Sequence, residues 1–302
     1  MKKGKEFQIA SATLIATLGT EPQIVTASLD LLNRQQVWPS HVKVIHTSTQ
    51  LESIRSAIQT LSQDFNTYPY KKPHTLEMLV VADETGTSFE DVESPPAIQA
   101  AFRTIYQAIW RAKRDCQAVH LVISGGRKAL ALYAMSAAQL LFDQDDKLWI
   151  LISTGEFLHS RRLHPEAKDD VHLLSIPVIL WSQVSPAFSA LQQISDPNEA
   201  LNHVRDLHLR EKLENARTFV LGSLTPAEQR VVEILVLEGA SDTTISRRLT
   251  ISPRTAEQHL RSAYSKAAAH WDVDSISRTQ LVSLLQMYFS TKLREIPHDE
   301  EK

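Results

Sequence analysis

The sequence predicts two domains: an α/β domain built on a mostly parallel sheet, followed by a smaller all-α domain. Three observations carry this. Short β-rich runs alternate with longer helical patterns up to residue 180, whereas beyond residue 224 only short, polar-capped helical patterns occur. The length, 302 residues, also exceeds what one core commonly fills. The expected division is 1–195 for the α/β domain, 196–221 for a linking helix, and 222–302 for the helical domain and its tail.

In order, the pairs of strand and helix are 9–18 and 22–33, then 42–46 and 51–65, then 76–81 and 95–114. They continue with a strand at 119–124, a helix from about Arg127 to Phe142, and a strand at 148–153. Strands that alternate with helices pair in parallel, because each crossover helix returns the chain to the same edge. The stretch 154–170, with Gly155, His159, Arg161 and Pro165, suits a loop or lid, and 171–180 holds one or two further strands. Leu201, Val204, Leu207, Leu213 and Ala216 lie among many charges, as in a linking or dimerising helix. The charged end, Asp299 to Lys302, is expected to fray.

Composition narrows the class. With 43% hydrophobic and 22% charged residues the chain is that of an ordinary globular protein. A net charge of -3 argues against a uniform coat of nucleic acid and leaves room for a local basic face. Cys116 is the sole cysteine, which excludes an intrachain disulfide and a multi-cysteine zinc site and fits a cytoplasmic location. Lys2, Lys3 and Lys5 precede Gln8, Ser11 and Thr13, a pattern of a first strand rather than of a signal peptide. No run is long and apolar enough for a membrane span, which needs about 20 residues. The twelve histidines are scattered, and His41/His46 and His203/His208 are five apart rather than four, so no metal site is expected.

In the C-terminal part, Leu224-Thr-Pro-Ala-Glu228 forms a capping box with proline at the first helical position. Val231, Val232, Leu235 and Val236 make the buried stripe of that helix, and Gly239 ends it. Ser241 caps a second helix with Ile245 and Leu249, and Ser252-Pro253 opens a third after a three-residue turn. Between residues 243 and 266, five basic side chains (Arg247, Arg248, Arg254, Arg261, Lys266) face one acidic one (Glu257), a local charge of +4. These residues, with Ile251-Ser-Pro-Arg-Thr-Ala-Glu-Gln-His-Leu-Arg-Ser-Ala-Tyr-Ser-Lys266, resemble the LuxR-type DNA-binding domain over about 222–290. The resemblance implies that the third helix enters the major groove of double-stranded DNA, with Glu257, Gln258 and Arg261 toward base edges and Arg254 and Lys266 toward phosphates. Glu257 and Arg261, at i and i+4, also suit a solvated ion pair. Ala263 and Ala267 stand where that family has larger aliphatics, and Glu257 where it often has a basic residue, so affinity or operator is expected to differ.

In the N-terminal part, Val122-Ile-Ser-Gly-Gly-Arg-Lys128 sets two glycines at a strand-to-helix turn, where helix amides can point at an anion and Arg127 and Lys128 add charge. Thr17-Leu-Gly-Thr-Glu-Pro-Gln23 forms a similar turn after the first strand. Neither spacing is that of a dinucleotide fingerprint or P-loop, and no nucleophile elbow or H-E-x-x-H occurs. Ala16-Thr-Leu-Gly-Thr-Glu-Pro-Gln-Ile-Val-Thr26 together with Val119-His-Leu-Val-Ile-Ser-Gly-Gly-Arg-Lys-Ala-Leu-Ala-Leu-Tyr133 resembles the CARF domain, a CRISPR-associated Rossmann-like sensor, over about 8–190. The resemblance implies a homodimer that binds cyclic oligoadenylate across its two-fold axis. It would use Gly19, Thr20 and Gln23 of the first turn and Ser124, Gly125, Gly126, Arg127 and Lys128 of the second. Cyclic tetra-adenylate is favoured over hexa-adenylate, and no cofactor is implied.

Two functions from different classes follow. One is a transcriptional regulator of a type III CRISPR system whose helix-turn-helix responds to cyclic oligoadenylate. The other is a metal-independent ring nuclease in which Arg127 and Lys128 stabilise the charge that develops as a ribose 2′-hydroxyl attacks its phosphate. In the second case the helix-turn-helix serves localisation or protein contact.

Overall fold

Strand β1 (Ala12–Thr17) is buried at all six positions, as a strand covered on both faces must be. It is followed by α1 (Gln23–Arg34), β2 (Pro39–His46), α2 (Glu52–Thr67), β3 (Thr75–Val80), α3 (Pro95–Arg114), β4 (Ala118–Val122), α4 (Lys128–Leu141) and β5 (Lys147–Ser153). Then come α5 (Glu156–Ser160), β6 (Val171–Ile176), α6 (Trp181–Val184), a 3-10 helix (Pro186–Gln193) and α7 (Pro197–Gly222). The computed structural model describes residues 11–153, 156–184 and 186–295. The expectations for residues 2–10, 154–155 and 299–302 lie outside them.

The sheet order is β3-β2-β1-β4-β5-β6, with five parallel strands and β6 antiparallel at the edge. On one face Leu14, Ala16 and Val44 pack with Val25, Leu29 and Leu32 of α1, with Leu61 of α2, and with Phe157. The opposite face is covered by α3 and α4, which pack on each other; α3 presents Ala97, Ala100, Ala101 and Ala108, whose small side chains allow close approach. The expected α/β class is thus the observed one. Only one strand forms in 171–180, because β6 ends at Ile176.

The segment expected as a loop or lid contains α5 and is tied down along a single stripe of α1. Gln23 donates to Leu158 O at 3.1 Å, Thr26 to Leu163 O, and Arg34 to Pro165 O at 2.8 Å. His164 bridges Asp30 at 2.7 Å and Asp64 of α2 at 3.0 Å, and its ring stacks on Tyr68. Positions 23, 26, 30 and 34 lie on one helical face, so one row of polar side chains, with Asp64 of α2, holds residues 158–165.

The chain divides into two units between His203 and Val204, within α7. The second unit adds α8 (Pro226–Glu238), α9 (Asp242–Leu249), α10 (Pro253–His270) and α11 (Arg278–Glu295). Its core joins Phe219, Val232, Leu235, Ile245, Leu260 and Leu285. The capping box at Thr225/Glu228 is present, and Gly239 ends α8 in the left-handed region at φ 62. Ala263 and Ala267 are fully buried, so small residues there match a close crossing of α10 over its neighbours.

Candidate functional site

The strand order reverses between β1 and β4, and the turns that leave these two strands lie side by side at their carboxyl ends, where open α/β sheets form a crevice. The turns are packed backbone to backbone. Thr17 Oγ1 donates to Gly125 O at 2.6 Å. A Cβ on Gly125 would lie 2.0 Å from Thr17 O, and one on Gly19 would lie 2.9 Å from Gly126 N. Gly126 is exposed at φ 78, a conformation other residues rarely adopt.

Beside these turns is a cleft of roughly 390 Å³ whose lining includes Gly19, Thr20, Ser124, Gly126 and Arg127. Of the residues expected to bind ligand, these five come together. Gln23, Gly125 and Lys128 are not part of that lining. Gln23 is only 1% exposed, and its amide donates to Glu21 at 2.7 Å and to Leu158 O, so it supports the wall of the cleft. Gly125 is buried in the packing of the two turns. Lys128 is exposed as the first residue of α4. Ser124 Oγ accepts from the backbone N–H of Leu151, which fixes the turn against β5.

The electrostatics of the cleft are mixed. Arg127 is the N-cap of α4 and no side chain caps that end, so the helix amides there lack a side-chain acceptor. The Arg127 guanidinium is paired with Asp91, and Glu21 and Glu90 also line the cleft. An incoming phosphate would therefore compete with Asp91 for Arg127. Glu90, Asp91, Thr47 and Ser53 were not foreseen in the sequence. Their signal was available, since the connections after β2 and β3 reach the same edge of a parallel sheet as the two glycine turns.

In the second unit, Thr250 at φ 55 makes the turn between α9 and α10. Arg254, Glu257, Gln258 and Arg261 are exposed along one side of α10, while Ala256, Leu260, Ala263 and Ala267 are buried on the other. Glu257 and Arg261 are paired at 2.9 Å, both exposed. Lys266 reaches Glu228 at 2.6 Å, so this expected phosphate contact also serves an internal partner. Glu228 is nearly buried and additionally accepts from Ser262 at 2.6 Å and from the Thr225 N–H at 2.8 Å. Burial pushes its pKa up, but the bonds from Lys266, Ser262 and Thr225 outweigh it and hold the carboxyl down at about 2. Arg248 pairs with Glu238 at 3.2 Å. Of the five cations counted in the sequence, Arg247 and Arg254 have no ion pair among the described residues.

The family described as CRISPR-associated protein NE0113 matches residues 21–209, and the family described as bacterial regulatory proteins, luxR family, matches residues 222–279. HTH-type transcriptional regulators of Mycobacterium bovis and of two strains of Mycobacterium tuberculosis are 48% identical over 61 residues, 20% of this chain. The match covers only 6% of the length of those relatives. No helix among the described residues is long and apolar enough to cross a membrane.

Proposed function

Because the chain belongs to the family described as CRISPR-associated protein NE0113 and ends in a LuxR-family DNA-binding domain, we propose that it is a transcriptional regulator of a type III CRISPR system whose DNA binding responds to cyclic oligoadenylate. The family matches and the regulator relatives support the coarser statement, a CRISPR-linked DNA-binding regulator. The ligand rests on the resemblance of the two glycine turns to CARF domains. One observation supports it above the others: both turns meet at the β1/β4 crevice beside the uncapped start of α4 and Arg127. Phosphate oxygens fit such a place because backbone amides and a guanidinium are both donors. In a homodimer, a ring on the two-fold axis would meet this edge twice, and exchange of Asp91 for a phosphate on Arg127 is the local event that binding brings about.

A ring-nuclease reading gains one observation, the carboxylates of Glu21 and Glu90 in the same cleft as Arg127. A carboxylate can take the proton of a ribose 2′-hydroxyl as its oxygen attacks the adjacent phosphate; the 5′-oxygen leaves and takes up a proton, giving a 2′,3′-cyclic phosphate. Incubation of the purified chain with cyclic tri-, tetra- and hexa-adenylate, following binding and ligand integrity together, tests both readings. Binding that is lost in an Arg127→Ala, Lys128→Ala double variant is expected. Breakdown of the ring would add enzymatic activity, and failure to bind any ring would overturn the ligand assignment.

A further inference from the structure

The cleft at the glycine turns does not end at Glu21. A contiguous hollow of roughly 410 Å³ shares Thr20, Glu21 and Ser53 with it and extends along α2 past Ser56 and Thr60 to Arg161. Ser53, Ser56 and Thr60 fall on one face of α2, next to the buried stripe of Ile54, Ala57 and Leu61. The α2 side of the lining therefore presents a row of hydroxyls, with Ala57 between them and Pro22 on the facing wall. Ser53 and Ser56 are exposed, and Thr60 donates to Ser56 O at 2.9 Å.

Arg161 closes the far end. It follows α5 directly, in the left-handed region at φ 55, and its N–H donates to Leu158 O at 3.3 Å. That same carbonyl accepts from Gln23, which also holds Glu21. Gln23 thus links the wall between the two hollows to the helix end that carries Arg161. The neighbouring Arg162 is neutralised by Glu166 and Asp169, and Arg127 by Asp91, but the Arg161 guanidinium has no carboxylate partner among the described residues. An exposed, unpaired guanidinium at the end of a hydroxyl-lined hollow suits an anion that arrives from outside.

The order of groups along the cleft is cation at Arg127, carboxylate and hydroxyls at Glu21, Thr20 and Ser53, hydroxyls at Ser56 and Thr60, and cation at Arg161. A ribonucleotide chain offers the complementary order, phosphate, then sugar hydroxyls and exocyclic amine, then phosphate. We propose that Arg161 with Ser53, Ser56 and Thr60 forms a second phosphate-and-ribose subsite, so that one protomer holds at least two linked nucleotides between the start of α4 and the end of α5. This rests on the oligoadenylate reading given above and extends it to residues outside both glycine turns.

The test measures affinity for cyclic tri-, tetra- and hexa-adenylate, and for AMP, in the full chain and in Arg161→Gln, Arg161→Lys, Ser56→Leu and Arg127→Gln variants, with circular dichroism to confirm folding. Arg161→Gln is expected to weaken binding of the preferred ring tenfold or more, and to make that binding less sensitive to salt, since one cation–phosphate contact is lost. AMP binding changes less than twofold, since one nucleotide occupies only the first subsite. Arg161→Lys regains part of the loss, and Ser56→Leu, which fills the hollow without touching Arg161, weakens the ring similarly. Ring binding that survives both Arg161→Gln and Ser56→Leu while Arg127→Gln abolishes it would overturn the second subsite and leave the ligand assignment standing. No ring bound by the unaltered chain would overturn both.

Discussion

Glu228 ties the start of α8 to α10. Its carboxylate receives the Thr225 N–H from the start of α8 and the Ser262 and Lys266 side chains from α10, with 6% of its side chain exposed. Replacing it by glutamine removes the charge opposite Lys266 and is expected to cost on the order of 2 kcal/mol. Calorimetry of the full chain would then show the transition of the C-terminal unit lowered by about 10 °C. Its carboxyl is held at about 2, below its ordinary 4.5, so its contribution is complete above pH 4.5 and disappears as pH falls toward 2. The Glu228→Gln variant should lack that acid-side loss. His164 has the opposite sign. Burial lowers its pKa, but hydrogen bonds and charge from Asp30 and Asp64 outweigh this and raise it from 6.5 to about 9. The bridge is therefore complete below pH 6.5 and lost as pH rises through about 9. Neighbouring Tyr70 donates to Asp64 at 2.6 Å, and burial with that bond raises its own pKa, so it stays neutral through this window. A side-chain NMR titration should give His164 a midpoint near 9, with faster hydrogen exchange in residues 158–170 above it; a midpoint near 6.5 would mean that the two aspartates do not hold the ring.

At the scale of elements, the exposed side of α10 carries less effective positive charge than the sequence suggests, because Glu257 covers Arg261 and Glu228 engages Lys266. Glu257→Gln should tighten non-specific binding to duplex DNA by several-fold, because it frees Arg261 and removes a charge that repels phosphates. Arg254→Ala should weaken binding across all sequences and lower the salt slope by about 1. Titrations of labelled duplexes at several salt concentrations would show both, and a Glu257→Gln variant that binds more weakly would mean the carboxylate reads a base. The elements of this domain were legible because capping is local chemistry: Thr225, Gly239, Ser241 and Ser252 mark ends of α8, α9 and α10 by bonds to the nearest backbone groups. The alternation of strands and helices was legible from the local patterning of apolar residues instead, since of α1 to α4 only α3 carries a side-chain cap, at Ser94. What the sequence left hidden depends on distant partners. Nothing local in Gln23 shows that it turns inward to Leu158, and nothing local in 158–165 shows that Gln23, Thr26, Asp30 and Arg34 hold it. The glycines were legible as a turn, but the packing of Gly19 against Gly126, and of Gly125 against Thr17, requires that β1 and β4 be neighbours.

For the whole molecule, the proposed regulation requires that the cleft and the DNA-binding helix bias one another, and α7 is the segment of chain that joins the two units. A ligand that binds every arrangement equally shifts none of them, however tightly it binds. If the ring changes DNA affinity by some factor, DNA must change ring affinity by the same factor, and couplings of about 5- to 150-fold are usual. Measuring DNA affinity with and without saturating ring, and ring affinity with and without saturating DNA, should return one and the same ratio. Two glycines inserted after Leu209, an exposed position of α7, interrupt helical continuity without altering either site. That insertion should bring the ratio to one while both separate affinities persist. A ratio of one in the unaltered chain would instead make the two sites independent. The helix-turn-helix would then act only to place the ring-binding domain on DNA, and the cleft would have to act through its own chemistry rather than through transcription.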